Sequence, residues 1–402
     1  MRILAVTLRY PPYTAGGYEL LTEDAVEGLR ARGHEVFVLC GRGRDFADDR
    51  LLPLLAPDLD SAEDLFAVDR AAPPLERLRL HYFRGANFRA TRRALRERRP
   101  ELVLYFNLGL VSLAPLFAAR LAGVPRLGYI CDPWVENHWL REMAGRPEKA
   151  GRRPLFRLAW RALRRLAGMP PMLAASEWLR QRLLADGWRP GEVRVLATGL
   201  SPVMDRLARE AVPAPRERGA RLRLLCTSMW WGGKGQHVLV EALGRAVAEG
   251  LDAELTLAGR EPAGTEYQAH LRHLASEGRV LDRVHFAGML SPAELSATIA
   301  QHHVFVLPSI WGEPFGLATI EAMAHGICVV VSDSGASPEL VGDAGVVVRT
   351  EDVEALTRAL LELGGDEPRR RALGARARER ALSTFGRDVF LRQLEAEAEA
   401  LA

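Results

Sequence analysis

The sequence predicts an α/β protein made of two consecutive units, each with a parallel β-sheet covered by helices on both faces. The chain has 402 residues, which is enough for two domains of ordinary size. Short apolar runs alternate with segments of helical periodicity, and this alternation is typical of parallel sheets buried on both faces. The alternation begins afresh after a Pro-rich, charged stretch at residues 212–221, which marks the passage from the first unit to the second.

The first unit opens with a strand, a glycine-containing turn and a helix. Residues 3–6 form an apolar run, residues 11–17 are rich in turn formers, and residues 19–29 have the spacing of an amphipathic helix that Gly33 ends. Four further apolar runs predict the other strands of this unit, at 34–39, 102–106, 125–130 and 172–175.

The second unit repeats the pattern. Its predicted strands are at 223–227, 254–258, 284–286, 304–307 and 328–331, and its predicted helices are at 236–249, 266–277 and 292–300. We therefore expect one domain at 1–200 and another at 201–385. The remaining residues, 386–402, are highly charged and predict a helix that spans both units by packing back on the first.

The composition excludes several classes of protein. The 54 basic residues nearly balance the 51 acidic ones, and the formal charge of +3 gives no sign of a nucleic-acid partner. The first apolar stretch, 3–8, is too short for a signal peptide or a membrane span, and no later run is long enough. The four cysteines have neither the spacing of a zinc site nor that of a disulfide framework. We expect a reduced, cytoplasmic protein, and its oligomeric state stays open.

Two segments depart from the regular alternation. Residues 45–70 carry many aspartates and predict either a mobile lid or a plain solvated loop. Residues 152–166 alternate arginines with Leu, Phe and Trp, which is the pattern of a basic amphipathic helix. Such a helix either packs on its own domain or lies on an anionic membrane surface, and both alternatives stay open.

The most informative segment joins the predicted strand 304–307 to a helix. The loop after this strand contains Glu313 and Pro314, and the helix is expected to start near residues 315–316, because proline fits the entrance of a helix. Free N–H groups at that entrance would face the carboxyl end of the strand, where a diphosphate can bind. Glu321 follows about two turns further on.

The spacing of Glu313 and Glu321 excludes a hydrolytic pair of carboxylates. In a helix these positions would lie about 12 Å apart, whereas the two carboxylates of a glycoside hydrolase lie about 5–9.5 Å apart. The longer spacing suits the two ends of an extended ligand. A nucleoside diphosphate sugar fits, with one carboxylate at the ribose, the other at the sugar and the helix N-terminus at the phosphates.

These residues resemble the signature of the family-4 retaining glycosyltransferases of the GT-B fold. The signature reads Glu-Pro-Phe-Gly at 313–316, then Glu-Ala-Met-Ala at 321–324 and a strand at 329–331. Shorter blocks that resemble other parts of the family stand at 11–17, 33–36, 176–179 and 335–339. The resemblance implies two Rossmann-like α/β/α domains facing a cleft, the first binding the acceptor and the second a nucleotide sugar.

The resemblance also implies roles for residues of the second unit. Glu321 would bind the ribose of the donor and Glu313 the transferred sugar. Lys234, in the sequence Gly-Gly-Lys-Gly, would neutralise the donor diphosphate and stabilise it as it departs. The backbone of three consecutive residues would contact sugar and phosphate: Phe315, Gly316 and Leu317.

The corresponding part of the first unit is its N-terminal glycine loop. There Gly16 and Gly17 would let the backbone approach the donor phosphates or the acceptor closely. Family members often carry a His-Asp pair after a strand of this domain, where the present chain has Cys131 and Asp132. Asp132 is therefore a candidate for binding sugar or acceptor, and His138 is expected to be structural.

One departure concerns the charge at the donor site. Family members carry an arginine five residues before the lysine, but this chain has Met229 there. Arg260, which follows a predicted strand, is a candidate to replace that arginine. The composition does not explain the missing arginine, because the chain is rich in arginine: only two of its 54 basic residues are lysines.

The resemblance implies transfer of a sugar from a nucleotide diphosphate sugar to an acceptor hydroxyl, with retention of anomeric configuration. The predicted catalytic residues are Glu313, Lys234 and Asp132, and neither a metal nor another cofactor is expected. The acceptor would be a polysaccharide or lipid-linked saccharide precursor, or a small natural product. Two alternatives stay open: a GT-B epimerase or phosphorylase, and a nucleotide-sugar sensor without catalytic activity.

Overall fold

The computed structural model of the protein describes most of the chain and divides it into two compact units. The described residues are 1–13, 17–42, 48–58, 73, 76, 79, 81–132, 158, 162–163, 165–217, 219–262 and 264–402. Unit 1 comprises Met1–Leu196 and Leu391–Ala402, and unit 2 comprises Ala197–Phe390.

Unit 1 contains, in the part described, a parallel sheet of seven strands. They are β1 (Arg2–Val6), β2 (Glu35–Arg42), β3 (Leu51–Asp58), β4 (Leu102–Tyr105), β5 (Arg126–Ile130), β6 (Met172–Ala174) and β7 (Val193–Val195). Their order in the sheet is β3-β2-β1-β4-β5-β6-β7. Strands such as β1 and β4 are apolar and buried, as expected for a parallel sheet with both faces covered.

The helices of unit 1 connect these parallel strands. Those within the described residues are α1 (Gly17–Ala31), α2 (Gly85–Arg98), α3 (Ala114–Leu121) and α4 (Glu177–Ala185). Ala25, Val26 and Leu29 give α1 a fully buried apolar side. The side chain of Ser176 accepts a hydrogen bond from the N–H of Leu179 and so fixes the start of α4.

Unit 2 contains a second parallel sheet, with six strands in the described residues. They are β8 (Leu222–Thr227), β9 (Ala253–Ala258), β10 (Val284–Gly288), β11 (Val304–Leu307), β12 (Cys328–Ser332) and β13 (Val346–Val348). Their order is β10-β9-β8-β11-β12-β13. Leu224, Leu255, Val306 and Val330 belong to one buried cluster that these strands share with the helices packed on them.

Helices precede, separate and follow these strands in the described residues, and the last of them continues into unit 1. They are α5 (Pro202–Glu210), α6 (Gln236–Ala248), α7 (Tyr267–Glu277), α8 (Pro292–Gln301), α9 (Leu317–Ala324), α10 (Ser337–Val341), α11 (Val353–Gly365), α12 (Glu367–Thr384) and α13 (Arg387–Glu399). Ser291 and Glu294 form a capping box at the start of α8, and Asp352 caps α11. The predicted α/β fold with two parallel sheets is thereby confirmed.

The C-terminal residues belong to unit 1 and are held there by ion pairs. The carboxylate of Glu395 lies 3.0 Å from Arg32 and 2.8 Å from His34. Leu391 packs so tightly on Gly28 that a Cβ at that glycine would lie 2.5 Å from a methyl carbon of the leucine. Helix α13 thus begins in unit 2 and ends in unit 1.

One prediction about the first unit was wrong. Part of the segment 45–70, for which a lid or a loop was expected, forms strand β3 instead. β3 lies at the edge of the sheet and pairs in parallel with β2, with Pro53 opposite Cys40. Proline is tolerated at an edge because no further strand needs its missing N–H. Residues 59–70 lie outside the described residues.

The structure tests the predictions about membrane contact only in part. Among the described helices, none combines the length and the apolar character needed to span a bilayer. Of the predicted basic helix 152–166, only residues 158, 162, 163, 165 and 166 are described. His138 and the second lysine, Lys149, lie outside the described residues.

Candidate functional site

Unit 2 has a topological switch point between β8 and β11. On one side of this boundary the strands follow in the order β8, β9, β10, and on the other side in the order β11, β12, β13. Ligands of open parallel sheets bind outside the carboxyl ends of the strands at such a point. The loops that follow β8 and β11 carry Lys234 and Glu313, respectively.

Lys234 and Glu313 form an ion pair at this point. Lys234 Nζ lies 2.6 Å from Glu313 Oε1, and the hydroxyl of Ser309 donates to the same oxygen at 2.5 Å. Glu313 is only 4% exposed, so its charge depends on these two partners. No residue of the described chain donates to Glu313 Oε2, and this oxygen is free to accept a hydrogen bond from a ligand.

Two glycines allow the loops of the site to approach each other. Gly235, at φ 69°, lies so near the carbonyl oxygen of Pro308 that a Cβ would be 1.9 Å from it. Gly335, at φ 63°, faces the backbone of Glu313, whose nitrogen would be 2.1 Å from a Cβ. Any other residue would both strain the backbone and push these loops apart.

Two tryptophans form an aromatic wall beside the ion pair. The N–H of Trp311 donates to the carbonyl of Gly233 at 3.0 Å, which ties the loop after β11 to the turn that carries Lys234. The rings of Trp231 and Trp311 meet edge to face at 5.9 Å, and Lys234 Nζ lies 5.7 Å from the Trp311 ring centre. Trp311 is exposed, and its ring can receive the apolar face of a sugar or a base.

Helix α9 begins later than the sequence predicts. Its N-cap is Gly316, at φ 122°, and its first residue is Leu317. Pro314 therefore precedes the helix instead of standing at its entrance, and Glu313 lies in the loop. The spacing of about 12 Å, which assumed a helix from Glu313 to Glu321, does not apply.

The start of α9 is anchored by an aromatic contact and followed by unsatisfied hydroxyl groups. Phe315 is buried and meets Phe385 edge to face at 5.8 Å. Thr319 in the first turn of α9 and Ser337 at the start of α10 are fully buried, and their hydroxyls have no partner in the described part of the chain. Buried hydroxyls without a partner are unfavourable, and both lie beside N–H groups at helix N-termini.

Glu321 lies in the second turn of α9 and is half-buried. Burial raises the pKa of its carboxyl from 4.5 to about 7, and no charged group among the described residues offsets that effect. A carboxyl with this pKa is partly protonated at neutral pH. It can therefore change from donor to acceptor of hydrogen bonds near pH 7.

Arg260 approaches the segment before Lys234 through its backbone. Its carbonyl accepts the N–H of Trp230 at 2.9 Å, and the side chain is exposed. Met229, where the family arginine was expected, is exposed as well. The two positions thus belong to neighbouring segments at the carboxyl ends of β8 and β9.

The predicted residues of unit 1 lie at the carboxyl ends of its own strands. Gly17 is the first residue of α1, whereas Gly16 lies outside the described residues. Cys131 and Asp132 directly follow β5. Burial, together with the charge of Asp132, raises the pKa of the Cys131 thiol, which is therefore protonated at neutral pH.

One trio of side chains in the described residues could share a metal ion: His34, Glu395 and Glu399, in unit 1. The hydrogen bond from His34 and the charge of Arg32 lower the pKa of Glu395, so that this carboxylate is already neutralised. We interpret the trio as part of the ion-pair network that attaches α13 to unit 1.

Sequence reasoning identified Lys234 and Glu313 but missed residues that position them. Ser309 donates to Glu313, Gly335 makes room for its backbone, and Trp311 covers the pair. Ser309 and Trp311 stand in the loop between β11 and α9, so a search of every polar and aromatic residue in that loop would have found them. The contact of Gly335 has no such local signal.

Family models match both units of the chain. The model described as Glycosyltransferase Family 4 matches residues 15–202, and the model described as Glycosyl transferases group 1 matches residues 221–366. The chain is 34% identical over 162 residues to the GDP-mannose-dependent monoacylated alpha-(1-6)-phosphatidylinositol monomannoside mannosyltransferase of Corynebacterium glutamicum. That match covers 39% of this chain and 41% of the relative, less than half the length of either.

Two further proteins match over nearly their full length. The glycogen synthase of Mycobacterium tuberculosis is 29% identical, with 96% of this chain and 91% of the relative covered. HepE of Anabaena, solved in complex with UDP and glucose, shares the fold with a TM-score of 0.67 at 18% identity, and 99% of each chain is covered. Two family models that match both units, together with the shared architecture, show that the chain belongs to the family-4 glycosyltransferases of the GT-B fold.

Proposed function

We propose that the protein is a retaining glycosyltransferase that takes a sugar from a nucleotide diphosphate sugar and passes it to an acceptor hydroxyl. The observation that carries the proposal is the Lys234–Glu313 ion pair at the switch point of unit 2, just before the N-terminus of α9. A cation, a carboxylate and free helix N–H groups lie together there. This combination of groups suits a diphosphate joined to a sugar.

When the donor binds, Lys234 and Glu313 leave each other and contact groups of the donor instead. The diphosphate takes Lys234 and the N–H groups at the start of α9, formed by Gly316 and Leu317. Glu313 turns to a hydroxyl of the sugar, for which its Oε2 is already free of described partners. Glu321, one turn further along α9, accepts hydrogen bonds from the ribose hydroxyls.

In the transfer step the bond between the anomeric carbon and the diphosphate oxygen breaks. Lys234 and the N-terminus of α9 stabilise the charge that develops on the diphosphate. The acceptor hydroxyl attacks from the same face, and its proton passes to the departing phosphate, so configuration is retained. The step needs no protein nucleophile and no metal. We assign Asp132, at the end of β5, to binding the sugar or the acceptor in the N-terminal domain.

Arg260 is our candidate for a second cation at the diphosphate. The backbone hydrogen bond to Trp230 brings it beside the position of Met229, where other family members supply an arginine. Arg260→Gln should raise the Kd for a nucleoside diphosphate by about tenfold, the usual value of one charge-assisted hydrogen bond. Arg358→Gln is the matched control, because Arg358 is an exposed arginine of α11 paired with Glu354. An equal effect of both substitutions would remove Arg260 from the site.

For the acceptor we favour a saccharide held at the cytoplasmic face of an anionic membrane. In unit 1, Leu121 and Leu166 are largely exposed, and Arg120 binds the carbonyls of Arg165 and Leu166, so these residues lie on one surface. Exposed leucines beside arginines suit the interface of anionic lipids. In a flotation assay at low salt, vesicles containing phosphatidylglycerol should bind the wild-type protein. The double variant Leu121→Ser/Leu166→Ser should no longer bind them. Wild-type protein that stays unbound would favour a soluble acceptor.

The donor is to be identified with a panel that includes GDP-mannose and UDP-glucose. The first relative is named as GDP-mannose-dependent, and the Anabaena structure contains UDP and glucose. A thermal shift with each compound reports binding, because a ligand of the native state raises apparent stability. Incubation with the donors that bind, followed by analysis of nucleotide and sugar, then reports the reaction.

If the protein is a retaining transferase, it should release nucleoside diphosphate and join the sugar to an acceptor. An α-configured donor should give an α-linked product. Lys234→Ala and Glu313→Ala should each reduce this release severely, by about 10²-fold or more, whereas Arg358→Gln and added EDTA should leave it unchanged. Epimerised sugar nucleotide, or binding without turnover of any donor, would refute the proposed reaction. Wild-type turnover in both Ala variants would refute the site.

A further inference from the structure

Unit 2 carries a cluster of cationic side chains at the amino ends of β8 and β11. Lys234 and Glu313 lie beyond the carboxyl ends of the same two strands. Arg223 lies at the start of β8, and His303 directly precedes β11. His303 lines two adjoining cavities, one of about 310 Å³ with Arg216 and Arg370, and one of about 420 Å³ with Arg223. We propose that this cluster is a binding site for a phosphate-class oxoanion, separate from the donor site.

The guanidinium groups of the cluster have no ion-pair partner among the described residues. Arg216 and Arg370 both donate to the carbonyl oxygen of Gly364, at 2.9 and 3.3 Å, so two guanidinium groups meet at one neutral acceptor. In the described part of the chain, neither arginine has a carboxylate within ion-pair distance, and Arg223 has none either. Cations gathered at low exposure without a counter-ion repel one another, and an anion relieves that repulsion.

Two buried hydrogen-bond donors of the cluster have no acceptor in the described part of the chain. His303 is 8% exposed, and its Nδ1 accepts the N–H of Arg223 at 2.9 Å. The neutral ring therefore carries its proton on Nε2, for which no acceptor exists among the described residues. Arg223 Nε is buried and equally without an acceptor there. Each such donor is unfavourable unless a ligand supplies an oxygen.

The charge state of His303 agrees with this geometry. Burial, followed by the positive charges of Arg223, Arg370 and Arg216, lowers the pKa of the imidazole to about 4. At neutral pH the ring is uncharged and donates from Nε2, while the three guanidinium groups keep their charge. The site thus presents neutral and cationic donors and suits a ligand with several acceptor oxygens.

The acidic side chains that line the two cavities form their ion pairs with basic residues outside the cluster, and only the charge of Glu367 also acts on Arg370. Glu367 lies 3.1 Å from Arg371, and Glu254 lies 3.6 Å from Arg221 and 3.8 Å from His285. Glu217 is exposed. The cations at the cavity walls thus outnumber the acids that remain. Guanidinium forks match the geometry of phosphate oxygens, which favours a phosphate group over a halide or a single carboxylate.

This cluster and the donor site lie at opposite ends of the same strands. The strand β11 begins after His303 and ends at Leu307, before the loop that carries Glu313. Its four residues alone span about 13 Å. A single phosphate therefore cannot contact both places, and binding at each can be measured separately.

The test uses Lys234→Ala protein, in which anion binding at the donor site is weakened. Its thermal unfolding is followed in millimolar inorganic phosphate and, in a second arm, in ribose 5-phosphate, with chloride kept constant. We expect a rise in Tm, and a Kd that increases about tenfold on adding Arg223→Gln or Arg216→Gln. Arg358→Gln, which removes an arginine that already has a partner, should leave the Kd unchanged. The stronger shift of the two arms identifies the free ion or the phosphate ester as the better ligand.

A second measurement needs no variant of the cluster and so survives a folding defect. Phenylglyoxal modifies accessible arginines, and mass spectrometry of Lys234→Ala protein should show that phosphate protects Arg216 and Arg223 but not Arg358. No thermal shift and no protection would overturn the proposal, as would equal effects of Arg223→Gln and Arg358→Gln. Binding to anionic vesicles that depends on Arg223, without binding of free phosphate, would also overturn it in favour of a lipid surface.

Discussion

Breaking the Lys234–Glu313 pair should destabilise unit 2 by an amount that depends on the partner left behind. Lys234→Met removes the charge and keeps the length of the side chain. At 2.6 Å the attraction is about 6 kcal/mol at an effective dielectric constant of about 20, and about 1.6 kcal/mol in water. Lys234 is 19% and Glu313 5% exposed, which places the pair between these limits.

Desolvation opposes much of this attraction, while the buried carboxylate keeps only its bond from Ser309. We therefore expect Lys234→Met to lower the free energy of unfolding by about 2 kcal/mol. Glu313→Gln leaves the lysine unpaired but closer to water, so its cost should be smaller, about 1 kcal/mol. The double variant should be more stable than the sum of the single effects predicts.

The assay is a double-mutant cycle in urea, with the four proteins followed by circular dichroism and tryptophan fluorescence. The coupling free energy should be about 1–2 kcal/mol. Turnover of Lys234→Met should fall by about 10²–10³-fold, the usual effect of removing one group that stabilises transition-state charge. Additive single effects, or full turnover in Lys234→Met, would refute the reasoning that this pair is both a stabilising contact and the diphosphate site.

Three further predictions concern the same site. Glu313→Gln should bind a nucleoside diphosphate more tightly than the wild type in calorimetry, because Lys234 is released from its partner; weaker binding would show that the carboxylate does not compete with phosphate. Glu321→Gln should alter the pH dependence of stability. The folded carboxyl holds its proton up to about pH 7 but the unfolded one only to 4.5, so wild-type stability falls between these values as pH rises. The Gln variant should lack this decline, and an unchanged difference in Tm between pH 5 and pH 8 would contradict the burial of Glu321. Gly335→Ala should cost more than about 2 kcal/mol, because its Cβ would lie 2.1 Å from Glu313 N at a positive φ. Gly365→Ala, which meets no atom within 4 Å, is the control and should be nearly neutral in the same urea titration.

The sequence predicted those elements whose signal is local. β11 was predicted at its observed bounds, 304–307, because four consecutive apolar residues stand between His303 and Pro308 and three of the four are β-branched or aromatic. β3 was missed because its residues include Pro53 and Pro57 and lie in an acidic segment. Both prolines are acceptable only because β3 is at the edge of the sheet, and edge position depends on strand order.

Residues of the candidate site were predicted in a similar, uneven way. Glu313 and Lys234 came from motifs that a family resemblance interprets. The start of α9 was predicted to within two residues, but Pro314 was wrongly placed at the helix entrance. Gly335 stands in a block that resembles the family, at 335–339, but neither Gly335 nor Ser309 was predicted to position Glu313. Gly335 acts on Glu313 from the loop after β12, and only the parallel pairing of β11 with β12 brings these loops together.

The contact between Lys234 and Glu313 follows from strand order and from two loop lengths. β8 and β11 are neighbours in the sheet although 82 residues separate their starts, Leu222 and Val304, in the sequence. Lys234 lies seven residues beyond Thr227, and Glu313 lies six residues beyond Leu307, so loops of similar length leave the carboxyl ends of the two strands and bring the side chains into contact. Because the strands are parallel, their carboxyl ends all lie on the same side of the sheet, and the loops that follow them can contact one ligand. A motif scan finds each residue alone, whereas the switch point between β8 and β11 is the physical reason that they can hold one ligand together.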